Sequence, residues 1–497
     1  MSNVKIGWSR RSISIDGPVT LCGQMHMRVS EAIVDPLYVT VLCIDGGAGQ
    51  DAAFLCSFDL EALRNGAVNE IRQAVKALRP EIPVDAIITG VTHTHTGLNL
   101  LETESHSPDG KPVIHGDECR AHVVKMATEA VVEAWDTRAE GGIAYGYGYA
   151  VVGHSRRVVY FDDTSLRSAA NPVSPNGHGV MYGNTNDDQF SHYEAGADHF
   201  LNTLFTFNKE NKLTGMVINV PCPSQICEMW TVQSADYWCD VRKAVAEEYG
   251  DDVFVLPQCA PSGDLSPRIL HYKQAQARRM ALKYDLPYDP KEGHAYNKII
   301  AERYDIAQRI LEGVREVYSW ASKDIQTDIP VRHKMEVLQL PRRKITQEEK
   351  QWCEDNIVRM EAEMEEKRKG TPEEVSYAVS FQTSIINRNK KAVKRWENRE
   401  TDPTLGAECH VVRLGDMAFA TNQFELYMDF MHRIQARSPF VQTFVTQLTG
   451  EGATYVATER GVENKGYSAS IFCNMVGHEG GQVMVEGILR MLNEVND

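Results

Sequence analysis

The chain has 497 residues, more than one hydrophobic core usually supports, so one large elaborated domain or two domains are expected. Hydrophobic residues make up 42% and charged residues 24%, as in an ordinary globular protein. The formal net charge of -16 argues against nucleic-acid or anionic-membrane partners, because both need a basic surface. The absence of a long apolar run, of a signal-like segment and of any CxxC among the eleven cysteines predicts a cytoplasmic protein with reduced thiols.

The N-terminal part is predicted to be rich in β-strands. Two apolar, β-branched runs at residues 37–45 and 53–59 flank the turn Gly46-Gly47-Ala48-Gly49, which predicts a β-hairpin. Apolar residues then recur at helical spacing over residues 62–78 and 118–135. A short buried strand is predicted between the two helices, so the order is β-β-α-β-loop-α.

The stretch Thr92-His93-Thr94-His95-Thr96-Gly97 follows that strand, which is predicted at residues 84–88. Residues two apart in an extended segment face the same side, so His93 and His95 are expected to point together at the carboxyl end of a strand. Two imidazoles on one face suit a divalent metal such as zinc. Two core or surface histidines with satisfied hydrogen bonds would give the same pattern.

Three further motifs follow strands in the middle of the chain. Arg156 and Arg157 come after a glycine-rich strand, and such a pair either clamps a carboxylate or carbonyl oxygen or forms surface ion pairs. Cys222 ends a buried strand between two prolines, and its thiol is either a zinc ligand or a small core side chain. Ser266 lies in Gly263-Asp264-Leu265-Ser266-Pro267, which holds a nucleophile or a substrate-binding hydroxyl, or is a structural turn.

Residues 268–400 differ from what precedes them. Charged helical runs dominate this region, and residues 347–369 have little apolar face, which predicts an exposed helical hairpin. Two core strands are predicted within residues 409–421. Glu425 follows them at a strand-to-helix corner, where it is either a site residue or an acid favoured by the helix dipole.

The chain ends with a strand at residues 443–448, the segment Tyr455-Val456-Ala457-Thr458 and an amphipathic helix over residues 480–495. No internal repeat and no low-complexity tract interrupts these elements.

These motifs, in this order, resemble the catalytic domain of the neutral/alkaline non-lysosomal ceramidases. The resemblance covers nearly the whole chain at low identity between motifs. It implies an α/β fold with a large mixed sheet spanning residues 1–497, and a helical region is expected as an insertion at residues 270–400. The family carries a C-terminal β-sandwich domain, which is expected to be missing here because the chain has no room for it. The matching segments are Thr92-His93-Thr94-His95-Thr96-Gly97, Gly263-Asp264-Leu265-Ser266-Pro267, Glu425 and Tyr455-Val456-Ala457-Thr458, with weaker matches at Asp35-Pro36-Leu37-Tyr38-Val39 and Arg156-Arg157.

The resemblance implies a zinc-dependent amidase with one zinc ion per chain. Carried over, the metal ligands are His93, Glu425 and Tyr455. The family's second zinc histidine has no counterpart here, and Cys222 is expected in its place. A thiolate ligand adds negative charge and makes the metal a weaker Lewis acid, so the chemistry is expected to differ from that of the family.

The resemblance also implies roles for the remaining site residues. His95 would hydrogen-bond the substrate oxygen or the metal-bound water. Ser266 would lie beside the metal as a nucleophile or an orienting hydroxyl. Arg156 or Arg157 would steady the substrate.

The function expected from the sequence is metal-dependent hydrolysis of an amide or ester in a small soluble substrate. Ceramide is expected to be a poor substrate. Its two long alkyl chains lie in membranes, and the ceramidases are secreted or membrane-facing and carry the β-sandwich, whereas neither a signal-like segment nor room for that domain is expected here. A lyase, isomerase or transferase acting on a sugar-like or polyol substrate is the alternative, and a metal-stabilised binding protein is a further one. Neither nucleic acid nor membrane is expected as a partner, and the oligomeric state is left open, a homo-oligomer included.

Overall fold

The computed structural model describes residues 4–101, 106–167, 173–289, 294–295, 298–452 and 454–497. Within these residues the chain forms 23 β-strands and ten α-helices. The strands are β1 (Lys5–Ser12), β2 (Thr20–Leu21), β3 (Arg28–Val29), β4 (Tyr38–Asp45), β5 (Ala52–Phe58), β6 (Ile87–Val91), β7 (Ala139–Tyr149), β8 (His154–Ser155), β9 (Arg157–Tyr160), β10 (Gly179–Met181), β11 (Phe190–Tyr193), β12 (Phe200–Asn208), β13 (Leu213–Val220), β14 (Phe254–Cys259), β15 (Leu265–Ser266), β16 (Tyr288–Asp289), β17 (His294–Ala295), β18 (Val331–Pro341), β19 (Thr404–Leu414), β20 (Met417–Thr421), β21 (Glu425–Leu426), β22 (Gln442–Thr446) and β23 (Tyr455–Val456). The helices are α1 (Ala67–Leu78), α2 (Gly116–Asp136), α3 (Tyr237–Tyr249), α4 (Lys273–Tyr284), α5 (Lys298–Ala321), α6 (Gln347–Lys367), α7 (Pro372–Glu397), α8 (Met428–Arg437), α9 (Glu459–Asn464) and α10 (His478–Asn496).

The largest sheet among the described residues has eight strands in the order β14-β13-β12-β7-β1-β4-β5-β6. It is mixed, because β13 pairs with β14 and β5 with β6 in parallel, while β4 pairs antiparallel with β5 as the predicted hairpin. β1 and β7 share only two residue pairs, so a short pairing joins the two four-stranded halves of the sheet. The strand predicted at residues 84–88 begins later, as β6, after a short 3₁₀ turn at Val84–Ala86.

The hydrophobic core follows from the alternation of side chains along the strands. Leu42, Leu256 and Phe419 belong to one buried cluster between the eight-stranded sheet and a four-stranded sheet of order β18-β19-β20-β22. Val41 faces the other way, into a cluster under α1 and α2, and Ile218 faces a cluster under α3 and α5. Helices α8 and α10 cover the four-stranded sheet. The sheets therefore lie inside and the helices outside.

The region 270–400 contains helices α4 to α7 and also β18, which pairs with β19 along its whole length. Residues 290–293 and 296–297 of this region lie outside the described residues. Helices α6 and α7 pack together as the predicted helical hairpin, through Met360 and Ile385. None of the helices in the described part of the chain has the length and apolar character needed to cross a membrane.

Candidate active site

The candidate site lies where loops that follow several parallel strands meet. The amide of Ser224, after β13, donates to the carbonyl of Thr92, after β6, at 3.2 Å. The amide of Gly263, after β14, donates to the carbonyl of Leu426 at 2.9 Å. The carboxyl ends of parallel strands are where α/β folds usually bind ligands, and these backbone bonds fix the loops that carry the candidate residues.

His93 lies two residues beyond the end of β6 and has a φ of 60°, so strand alternation does not set its direction. The ring centroids of His93 and His95 are nevertheless only 5.1 Å apart, and the ring planes cross at 74°. His93 Nδ1 lies 2.8 Å from the carbonyl oxygen of Glu61, and Nε2 lies 3.3 Å from Oε2 of Glu425. The carbonyl contact orients the ring and leaves Nε2 directed at the carboxylate.

Glu425 and Tyr455 are brought together by β21 and β23, a short parallel pair in which these two residues are opposite each other. Arg156 Nη2 lies 3.5 Å from Oε2 of Glu425 and donates to the Tyr455 hydroxyl at 3.2 Å. Burial acts to raise the pKa of Glu425, but the neighbouring His93 and Arg156 outweigh it and hold the pKa below its usual value. A buried imidazole, carboxylate, phenol and guanidinium therefore meet at one place.

His95 lies between a carboxylate and an amide. Its Nδ1 is 3.4 Å from Oε2 of Glu228, and its Nε2 is 2.8 Å from Nε2 of Gln225. The side-chain oxygen of Gln225 faces Arg156 at 3.3 Å, so the amide nitrogen donates to His95 Nε2 and the ring proton lies on Nδ1. Burial lowers the pKa of His95, so the ring is neutral near pH 7. Glu228 is held in turn by an ion pair with Arg268.

One cavity of about 970 Å³ contains this group of side chains. His93, His95, Arg156, Glu425 and Tyr455 all line it, and all are buried or nearly so. The cavity has the size of a small-molecule site and carries a few convergent polar groups.

Comparison with known proteins bears on the fold. No protein-family model matches the sequence, and no curated protein matches it. Among solved structures, a neutral ceramidase from Pseudomonas aeruginosa matches with a TM-score of 0.65 and 13% identity, over 99% of this chain and 75% of that chain. A ceramidase complexed with C2 matches with a TM-score of 0.63 and 12% identity, over 100% of this chain and 76% of that chain.

The chain has the neutral ceramidase fold. The predicted α/β class with a large mixed sheet is thereby confirmed. At this identity the likeness concerns the fold alone.

Within the ceramidase fold, Cys222 and Ser266 are not among the residues that line the cavity. Cys222 packs in the buried cluster under α3 and α5, with its Sγ 3.5 Å from the carbonyl oxygen of Pro223. Ser266 is fully buried in β15, and its hydroxyl accepts the amide hydrogen of Arg268 at 3.1 Å. The structure therefore does not bring either side chain to His93 and Glu425.

Of the two arginines predicted for the site, only one lies at the cavity. Arg156 reaches the cavity, whereas Arg157 points away and forms a fully buried ion pair with Glu194, at 2.6 and 2.8 Å. Consecutive residues of an extended segment face opposite sides, which explains the division.

Several lining residues were not predicted from the sequence. Glu61 and Arg64 form an ion pair at 2.8 Å beside His93, while Gln225 and Glu228 flank His95. Glu228 and Arg64 carry no motif around them. Gln225 could have been found from the sequence, because it lies three residues after Cys222 in the loop that follows a buried strand.

The donor set can be tested against the zinc ion that the resemblance implies. Within the described residues, no group of three or more His, Cys, Asp or Glu side chains is arranged to hold a metal. This donor set has only two such side chains, and its third donor is the phenol of Tyr455. Two ligands of one tetrahedral zinc at about 2.0–2.2 Å stand roughly 3.4 Å apart. The 3.3 Å between His93 Nε2 and Glu425 Oε2 fits that spacing, and Tyr455 offers a third donor. Three protein donors are the number that a catalytic zinc site supplies, so His93, Glu425 and Tyr455 would hold the ion if it binds here.

Proposed function

We propose that the chain is a metal-dependent hydrolase that cleaves an amide or ester bond of a small, soluble substrate in the cavity around His93. The observation that carries the proposal is the convergence of His93, Glu425, Tyr455 and Arg156 on one cavity, with a His93–Glu425 separation of 3.3 Å. His93, Glu425 and Tyr455 would hold one zinc ion. A metal in such a site polarises a carbonyl group and makes water more acidic.

Charge stabilisation and proton transfer would be carried out by side chains of the protein. Arg156 is fixed by the carbonyl oxygen of Gly263 at 3.0 Å and by Gln225, so its guanidinium is held in place before substrate arrives. A fixed cation beside the scissile carbonyl would stabilise the negative charge that develops on the carbonyl oxygen in the transition state.

His95 is suited to proton transfer, because it is neutral and its Nε2 is a hydrogen-bond acceptor. In the proposed reaction, the attacking water replaces the Gln225 amide as the hydrogen-bond donor to Nε2, and Nε2 then takes the proton of that water. It then gives that proton to the leaving amine or alkoxide. Glu228 near Nδ1 orients the ring and stabilises the imidazolium formed in between. Ser266 has no part in this scheme, because its buried hydroxyl lies outside the cavity lining.

The test is acyl release from a panel of small N-acyl and O-acyl compounds, with ceramide in detergent included. Wild-type protein should hydrolyse at least one soluble member faster than ceramide. Glu425→Gln should lower kcat/KM by at least about 100-fold, because it removes a donor and the partner of Arg156. Glu408→Gln is the matched control, since Glu408 pairs with Arg72 outside the cavity lining. No hydrolysis of any member, or equal rates for the two variants, would refute the proposal.

A further inference from the structure

The cavity has a second face that is strongly basic, although the chain carries a net charge of -16. We call this face the basic wall. It is formed by Arg342, which follows β18, and by four basic residues of α7 whose spacing places them on one side of that helix. The basic wall consists of Arg342, Arg388, Lys391, Lys394 and Arg395, all of which line the cavity.

The positive charge of the basic wall is poorly neutralised within the protein. Arg342 pairs with the half-exposed Asp402 at 2.8 Å. Among the residues that the structure describes, no ion pair joins Arg388, Lys391, Lys394 or Arg395 to a carboxylate. At the other end of the cavity the charges are paired, because Glu61 and Glu228 each have an arginine partner.

The arginines of the basic wall are instead held by neutral groups. Arg388 Nη1 donates to the Tyr467 hydroxyl at 2.7 Å, and Arg395 Nη2 donates to the carbonyl oxygen of Ile471 at 2.6 Å. Burial, followed by the charges of Arg343 and Arg342, lowers the pKa of Arg395 to about 10. Nε and Nη1 of Arg342 are buried without a hydrogen-bond partner among the described residues. Cations that lie close together with a single carboxylate partner among them are costly to keep together unless an anion binds there.

The basic wall lies close to the catalytic end of the cavity. The ring of Tyr455 is 6.2 Å from the ring of Tyr467, whose hydroxyl accepts from Arg388. One aromatic ring therefore separates a proposed metal donor from the first cation of the wall. A small molecule bound between them would reach both.

We propose that the basic wall binds an anionic group of the substrate, a carboxylate or a phosphate, while the bond to be cleaved lies at His93 and Glu425. The second half of this statement rests on the proposed hydrolase function, and the first half does not. Guanidinium groups bind such anions through paired hydrogen bonds, and the two lysines add point charge at the cavity mouth. The substrate class is thus a small acyl amide or ester with a negatively charged end.

Binding of anions can be measured without any reaction. Succinate, inorganic phosphate and the neutral analogue succinamide are titrated into full-length protein by calorimetry. We expect one of the two anions to bind, weakening as salt is added, and succinamide not to bind. The preferred anion identifies the substrate end as carboxylate or phosphate. Equal affinity for succinate, phosphate and succinamide, or no binding of either anion, would overturn the inference.

Matched variants separate a binding wall from an ordinary charged helix surface. Lys391→Gln/Lys394→Gln removes two exposed charges of the basic wall and should weaken anion binding roughly tenfold. Lys390→Gln/Lys369→Gln removes two exposed charges that do not line the cavity, and should change binding less than twofold. Arg388→Gln provides a second wall variant if the first pair is too exposed to matter. Equal losses in the wall and control variants would contradict the inference.

The hydrolysis panel then links the two halves. Each acyl compound is supplied as a carboxylate and as its primary amide, and the ratio of their KM values is compared between wild type and the lysine variants. The carboxylate should be preferred by wild type, and the preference should shrink in Lys391→Gln/Lys394→Gln alone. Anion binding without hydrolysis would refute the hydrolase proposal and keep the anion site. Hydrolysis with no preference for charged substrates would refute the anion site alone.

Discussion

Arg157 is expected to stabilise the fold, although it stands next to an arginine of the site. Its guanidinium donates to both oxygens of Glu194 at 2.6 and 2.8 Å, and to the carbonyl oxygens of Gly461 and Lys465 at 3.2 and 2.7 Å. The side chain of Arg157 is 0% exposed and that of Glu194 is 1% exposed. Arg157→Met would leave the Glu194 carboxylate buried without its cation, which costs about 3–5 kcal/mol. That loss is a large part of the roughly 5–15 kcal/mol by which folded proteins are stable.

The assay is urea unfolding followed by tryptophan fluorescence, with a double-mutant cycle. Arg157→Met/Glu194→Gln should recover about 2 kcal/mol or more of the loss, because the unpaired charge is gone. Arg79→Met is the matched control, since Arg79 pairs with Asp136 where the side chains are 39% and 40% exposed, and should change the free energy of unfolding far less than Arg157→Met does. An Arg157→Met variant within about 1 kcal/mol of wild type, or a double variant no more stable than the single one, would refute the reasoning.

Three further predictions concern other buried groups. Burial raises the pKa of Asp264 to about 6, so the contribution of this residue to stability should fall as the pH rises from about 4 to 6. In urea unfolding, the stability of Asp264→Asn relative to wild type should therefore rise by about 2–3 kcal/mol between pH 4 and pH 7.5, and a difference that does not change with pH would contradict this. Cys222→Ser should destabilise the fold by about 1–3 kcal/mol, because the thiol packs in an apolar cluster, and should leave the zinc affinity unchanged. An absorption band of a cobalt–thiolate bond in the cobalt-loaded protein, if it disappears in Cys222→Ser, would contradict this prediction. Glu228→Gln should lower kcat about tenfold or more with little change in KM, and an unchanged kcat would remove Glu228 from the mechanism.

Much of the fold follows from local pattern. The hairpin of β4 and β5 follows from two apolar, β-branched runs around a glycine turn, and the helical hairpin follows from its charged runs. The C-terminal helix follows from apolar residues at a period of 3.6. The pairing of Glu425 with Tyr455 is not visible, because it joins strands of two residues each that are separated by nearly thirty positions. The sequence predicts a helix directly after Glu425, whereas the residue lies in a short strand.

The direction of single side chains limits what sequence predicts about the site. Met216, Ile218 and Val220 all face the cluster under α3 and α5, and Cys222 continues the same alternation. The sequence thus carried a signal that the thiol faces the core. His93 shows the opposite case, because its left-handed backbone breaks the alternation and yet brings the ring to Glu425.

The most direct test of a metal-dependent centre at His93 and Glu425 measures acyl release and bound zinc together. Metal-free wild-type protein receives zinc in steps, with the best substrate of the panel present in excess, beside Glu425→Gln treated identically. Activity and bound zinc should rise together in wild type and level off at one zinc ion per chain, while the variant gains neither. Full turnover by metal-free wild-type protein, or equal zinc binding by Glu425→Gln, would contradict the account.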